Sequence, residues 1–250
     1  MAKLRSWQKT PAPEPRAGEQ EWLKRGMTKH GGFSVAVTQI ASYAVLLFAV
    51  FTLGTHTVSG LIGLGFLLLS GSMVMLVGWP FEGEARESVF ARVLASVTFL
   101  VGFGYLASGE FYTDQTFLRW AGFLVIWFWV MVFVSFLRQM MRRNRSHLIR
   151  SLSVGLMASL STLGAVCWMF LPSLVRDLNA EQTPTSLAVT VIVVLLAAAV
   201  ALLAASITWW NGKPRKLPFS WMGMGMVPVL MLGYGIFVAA FAMHFGPAVF

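Results

Sequence analysis

"SLAVTVIVVLLAAAVALLAASITW", residues 186–209, runs from end to end without a charged side chain. An α-helix rises ~1.5 Å per residue, so about 20 such residues cross the ~30 Å hydrocarbon core of a bilayer. Six further runs share this character, at 33–54, 58–79, 89–108, 117–137, 151–175 and 219–243. None alternates polar and apolar residues at every second position, the pattern of a membrane β-barrel strand. Helices satisfy the backbone instead, because lipid offers the peptide groups no partner. The expected fold class is an all-α membrane protein, a bundle of seven transmembrane helices spanning 33–250 behind a tail at 1–32.

Composition agrees with that expectation. The chain has 250 residues, of which 57% are hydrophobic and 12% charged. An ordinary soluble domain carries roughly 25% charged residues, and half that number cannot cover a water-facing surface. The single cysteine, Cys167, lies inside the fifth run and provides neither a disulfide nor a cysteine zinc cluster.

The formal charge of +9 is read from its distribution. Of 19 lysines and arginines, seven fall in the tail and ten in the connections after the second, fourth and sixth runs. The remaining connections hold only Arg119 and Arg176. This positive-inside bias predicts a cytoplasmic N-terminus and an external C-terminus in a multi-pass protein of the bacterial cytoplasmic membrane.

The densest basic stretch is "FLRQMMRRNRSHLIRSL", residues 136–152, between the fourth and fifth runs. Topology and headgroup contact account for it. A secondary expectation is that Arg138, Arg142, Arg143, Arg145 and Arg150 dock an anionic lipid headgroup or an acidic partner, since guanidinium groups grip phosphate in a forked geometry. No aromatic residues interleave with these arginines to stack bases, so nucleic acid is not an expected partner.

The tail is basic and proline-containing. "KTPAPEPRAGEQ", residues 9–20, favours an extended, solvated chain, and "EWLKRGM", 21–27, suits a short interfacial segment. The charged region is too long for a cleavable signal peptide, so the first run is expected to remain as an anchor. "PFEGEARESVFAR", residues 80–92, is expected to be a solvated loop with a helical turn or two.

Two runs have internal features. The sixth carries Ala197, Ala201 and Ala205, a small residue on every fourth position, which admits a second helix at close range. The seventh combines Pro228 with Gly223, Gly225, Gly233 and Gly235. A proline removes one helical hydrogen bond, so Pro228, Gly225 and Gly233 mark the expected place for a kink. The fourth, with Phe123, Trp127, Phe128, Trp129 and Phe133, is broadly aromatic and expected to face lipid.

Chemistry in the bilayer would require ionisable side chains near its midplane, and the runs contain none there. Arg92 and Arg119 lie near run ends, from which they can snorkel. The seventh run has no lysine for a retinal Schiff base. "GLIGLG", residues 60–65, opens a membrane helix and lacks the strand that a nucleotide fingerprint needs. Topology brings His56 and His244 to the same, outer side with Glu110, Asp114, Asp177 and Glu181. The two histidines are the candidate metal ligands and the carboxylates their candidate oxygen partners. Interfacial histidines without a metal are the simpler expectation, and no cofactor is expected.

The function expected from these features is that of a noncatalytic accessory or scaffold subunit of a larger membrane complex, with the bilayer and other membrane subunits as partners. The alternative is a small-solute transporter or channel-like permease using the seventh helix. A lipid-headgroup enzyme would depend on the His56 and His244 group. Polar residues cluster at Thr38, Gln39, Ser42 and Tyr43 and at Ser151, Ser153, Ser159, Ser161 and Thr162. A polar path or helix-to-helix hydrogen bonding would use them equally well.

Overall fold

The computed structural model describes residues 31–53, 58–79, 85–108, 113–141, 148–180, 183–211 and 220–246, all within the unit Gly31–Phe250. The described residues are helical and include no strand. In chain order the α-helices are α1 Gly31–Thr52, α2 Val58–Gly78, α3 Ala85–Ala107, α4 Asp114–Met140, α5 Leu148–Cys167, α6 Leu171–Leu178, α7 Thr185–Asn211 and α8 Ser220–Phe245. A 3₁₀ turn, Trp168–Phe170, joins α5 to α6, and the three together make one span. Among the described residues seven helical segments are therefore long and apolar enough to cross a membrane, the character of an integral multi-pass membrane protein. The tail at 1–30 and Pro80 and Glu82 of the second connection lie outside the described residues. Ala85–Ser88 already belong to α3, so that helix starts earlier than its apolar run.

The departure from regular helix in the fifth span has a cause in the sequence. Pro172 lies in the first turn of α6. It has no N–H to donate, and its ring crowds the carbonyl four residues earlier, so the α-ladder cannot pass through it unchanged. The tighter 3₁₀ turn immediately before it absorbs the mismatch. By contrast, α8 continues as one α-helix through Pro228.

The centre of the bundle is formed by α5 and α8. Gly164 and Gly233 face each other there: a methyl group on Gly233 would overlap the Gly164 carbonyl oxygen, and one on Gly164 would lie 2.6 Å from the Leu230 oxygen. The backbones therefore touch. At that separation side chains reach across in both directions. Trp168 Nε1 donates to the Val229 carbonyl at 2.9 Å, and Tyr234 Oη donates to the Leu160 carbonyl at 2.8 Å.

The other helices gather around this pair. α8 also packs on α1, α2, α6 and α7, and α5 packs closely along α3. Gly223 lets α8 meet the α2 backbone at Gly78, and Gly225 lets it meet α1 at Val35 and Thr38. Interhelical hydrogen bonds accompany the packing. Ser206 of α7 donates to Oε1 of the fully buried Gln39 in α1 at 2.9 Å, and within α1 Gln39 Nε2 donates in turn to Tyr43 Oη at 3.1 Å. Ser42 donates to the Met226 sulfur at 3.0 Å, Thr162 to the Ala95 carbonyl at 3.0 Å, and Trp127 Nε1 to Thr98 Oγ1 at 3.2 Å.

The two outermost helices are α4 and α7. Trp129, Phe133 and Phe136 of α4 are exposed, whereas Trp127 turns inward to Thr98. On α7, Leu195, Ala198 and Leu202 pack on the core, and Ala197, Ala201 and Ala205 point away from it.

The glycine contact makes a signed prediction. Alanine at exposed Gly122 of α4, where an added methyl meets nothing within 4 Å, should stabilise by up to ~1 kcal/mol through helix propensity. Alanine at Gly233 should instead destabilise by roughly 1–3 kcal/mol through overpacking. Denaturant unfolding in mixed micelles measures both, and shifts of the same sign would contradict the backbone contact.

Candidate functional site

One end of the bundle gathers ionisable side chains from three helices. Thr113 begins α4 in an extended conformation, and its hydroxyl accepts from the Thr116 amide at 3.3 Å. This cap places Asp114 in the first turn, where the positive end of the helix dipole favours a carboxylate. His244 lies in the last turn of α8, where the negative end favours a cation. Asp177 comes from α6, beyond the 3₁₀ turn and Pro172.

The imidazole of His244 sits between the two carboxylates. Its Nε2 is 2.7 Å from Asp114 Oδ1, and its Nδ1 is 3.6 Å from Asp177 Oδ2. Asp177 Oδ2 is buried and has no hydrogen-bond partner, while Oδ1 accepts from Arg176 Nε at 3.3 Å. The His244 and Asp177 side chains are each 16% exposed, against 76% for Asp114. The ring thus makes one hydrogen bond, to Asp114, and one longer contact, to Asp177, a clasp that joins three helices. The ring also stacks on Phe117, with centroids 4.6 Å apart, above a cluster in which Phe117 meets Phe170 and Phe170 meets Phe237.

Asp114 and Asp177, two of the four carboxylates grouped with His244 by topology, are thus its neighbours. His56, Glu110 and Glu181 lie outside the described residues. The two ring nitrogens face different carboxylates, so the three side chains do not converge on a common point. Among the described residues no group of three histidine, cysteine or acidic side chains is arranged to hold a metal.

At the opposite ends of these spans, the Arg138 guanidinium lies over the Phe90 ring, 3.9 Å from its centroid. That cation–π contact ties α4 to α3. Arg142, Arg143 and Arg145 lie outside the described residues, as does the side chain of Arg150. Arg92 Nε donates to the Leu76 carbonyl at 3.2 Å, placing a cation at the C-terminal end of α2.

A second feature adjoins the clasp. The last turn of α3 and the opening turns of α4 enclose a crevice of about 160 Å³ lined by Tyr105, Leu106, Ser108, Thr116, Arg119 and Trp120. The Tyr105 ring stacks on Phe123 at 4.6 Å and tilts against Trp120 at 6.5 Å. Nothing in the spacing of these residues marked them as a group. Tyr234 and Pro172 were equally unmarked, although a lone hydroxyl and a mid-span proline in apolar runs are available signals.

Compared with protein-family models, curated proteins and solved structures, the chain matches none.

The clasp can be measured as a coupling. In a double-mutant cycle with Asp114→Asn and His244→Gln, the interaction energy should reach roughly 0.2–1 kcal/mol, the range of largely exposed ion pairs. Strictly additive effects on unfolding would mean that the pair contributes nothing.

Proposed function

We propose that this chain is a noncatalytic accessory or scaffold subunit of a larger complex in the bacterial cytoplasmic membrane. The observation that carries this reading is how the polar side chains in the spans are used. Gln39, Ser42, Tyr43 and Thr162 bond to neighbouring residues and helices, and Thr38, Ser159 and Ser161 bond back to their own helix. A permease would keep some of these groups along a path. The backbone contact of α5 with α8 instead closes the centre of the bundle.

The outward faces supply the other half of the reading. Ala197, Ala201 and Ala205 leave a low-relief row on α7 that no helix among the described residues covers, and rows of this kind let partner helices approach closely in lipid. The charge bias orients the subunit with its N-terminus in the cytoplasm, and the clasp then faces outward.

Purification of the tagged chain from its native membrane in mild detergent tests the proposal. A defined set of stoichiometric partners is the expected result. A solitary chain would overturn the subunit reading in favour of the permease. Reporters fused after residue 145 and at the C-terminus are expected on opposite sides, and same-side results would refute the orientation.

A further inference from the structure

We propose that the crevice between α3 and α4 binds a phosphate-bearing headgroup, with Arg119 supplying the charge and the Tyr105 hydroxyl a fixed neutral donor. The first observation is which polar groups there are already engaged. Ser108 Oγ donates to the Tyr105 carbonyl at 2.8 Å, and the Thr116 hydroxyl lies 2.9 Å from that of Thr113. Among the described residues neither the Arg119 guanidinium nor the Tyr105 hydroxyl has a hydrogen-bond partner, and none of those that line the crevice is acidic. The open functions are therefore donors, one of them positively charged, which selects an anion.

The second observation concerns shape. At about 160 Å³ the space holds a group several times the ~30 Å³ share of a water molecule. Tyr105 is held by its stack on Phe123, so its hydroxyl needs little ordering when a ligand arrives. A guanidinium fork matches two phosphate oxygens at once. A single anionic oxygen acceptor would use that geometry less well.

The third observation is position. Ser108 follows the end of α3 and Thr113 precedes α4, so the crevice lies at span ends, at headgroup depth. Exposed Leu118, Val101 and Val125 give α3 and α4 apolar outer faces beside it, on which an acyl chain can lie. Arg119 and Arg176 are the only two basic residues that depart from the charge bias along the chain. Arg176 is paired with Asp177. Arg119 remains a cation whose presence on that side topology does not explain.

The test uses the full chain in detergent. Native mass spectrometry with phosphatidylglycerol should show one preferentially retained lipid on the wild type. Arg119→Gln and Tyr105→Phe should each weaken retention, the arginine change by about tenfold, the scale of one lost charge-assisted bond. Arg119→Lys should recover part of it. Lipid-free thermal midpoints, unchanged in these variants, show that folding is intact. A parallel thermal-shift titration with inorganic phosphate separates the sources. An Arg119-dependent shift with phosphate alone supports the same site for a soluble phosphate, and no shift assigns it to the lipid headgroup. Equal lipid retention by wild type and all variants, with no response to phosphate, overturns the proposal.

Discussion

The contact of Gly164 with Gly233 is the constraint around which the bundle is built. Lipid tails are as apolar as leucine, so no hydrophobic force drives helices together inside a bilayer, and close packing must hold them instead. Two glycines allow backbone-to-backbone approach, and only then do Trp168 and Tyr234 reach carbonyls on the facing helix. Such bonds average ~0.6 kcal/mol each in membranes. Two of them are worth less than the van der Waals contact of a helix pair, so they set register and rotation while packing supplies the attraction. Further glycines on α8, at 223 and 225, repeat the device toward α2 and α1.

The 3₁₀ turn at Trp168–Phe170 has consequences at the end of the bundle. Trp168 belongs to that turn, so the residue that bonds to α8 is also where the fifth span changes pitch. Beyond it, Pro172 starts a short helix that leans on α8 and delivers Asp177 to His244. The clasp thus depends on a break in one span, on the cap at the start of α4, and on the end of α8. Its two carboxylates and one imidazole come from parts of the chain joined by no short-range motif.

The seven spans were legible because runs of apolar residues of bilayer length have no other stable use. The ends were less so, because polar first turns such as Ala85–Ser88 and Asp114–Thr116 continue a helix without adding to an apolar run. The glycines and Pro228 of the last span drew attention as a kink site. Gly223, Gly225 and Gly233 are also sites of close approach, which the pattern alone does not reveal, because it reads the same whether the glycines supply freedom or space. Alternating topology placed Asp114 and Asp177 on the side of His244, but only the packing of α4, α6 and α8 shows that they meet. The crevice could not be read at all. It lies between the end of α3 and the start of α4, and no residue pattern records that.

A closed centre is the claim that separates a packing subunit from a permease, and the chain carries its own probe of it. Cys167 is the sole cysteine, it is fully buried, and it lies one turn beyond Gly164 on the helix that meets α8. Its reaction with a charged, membrane-impermeant thiol reagent should be measured in intact membranes from both sides and again after denaturation in dodecyl sulfate. A closed centre gives no labelling of the folded chain from either side and full labelling once it is unfolded. Rapid labelling of the folded chain would mean that water reaches the space between α5 and α8, and would contradict it.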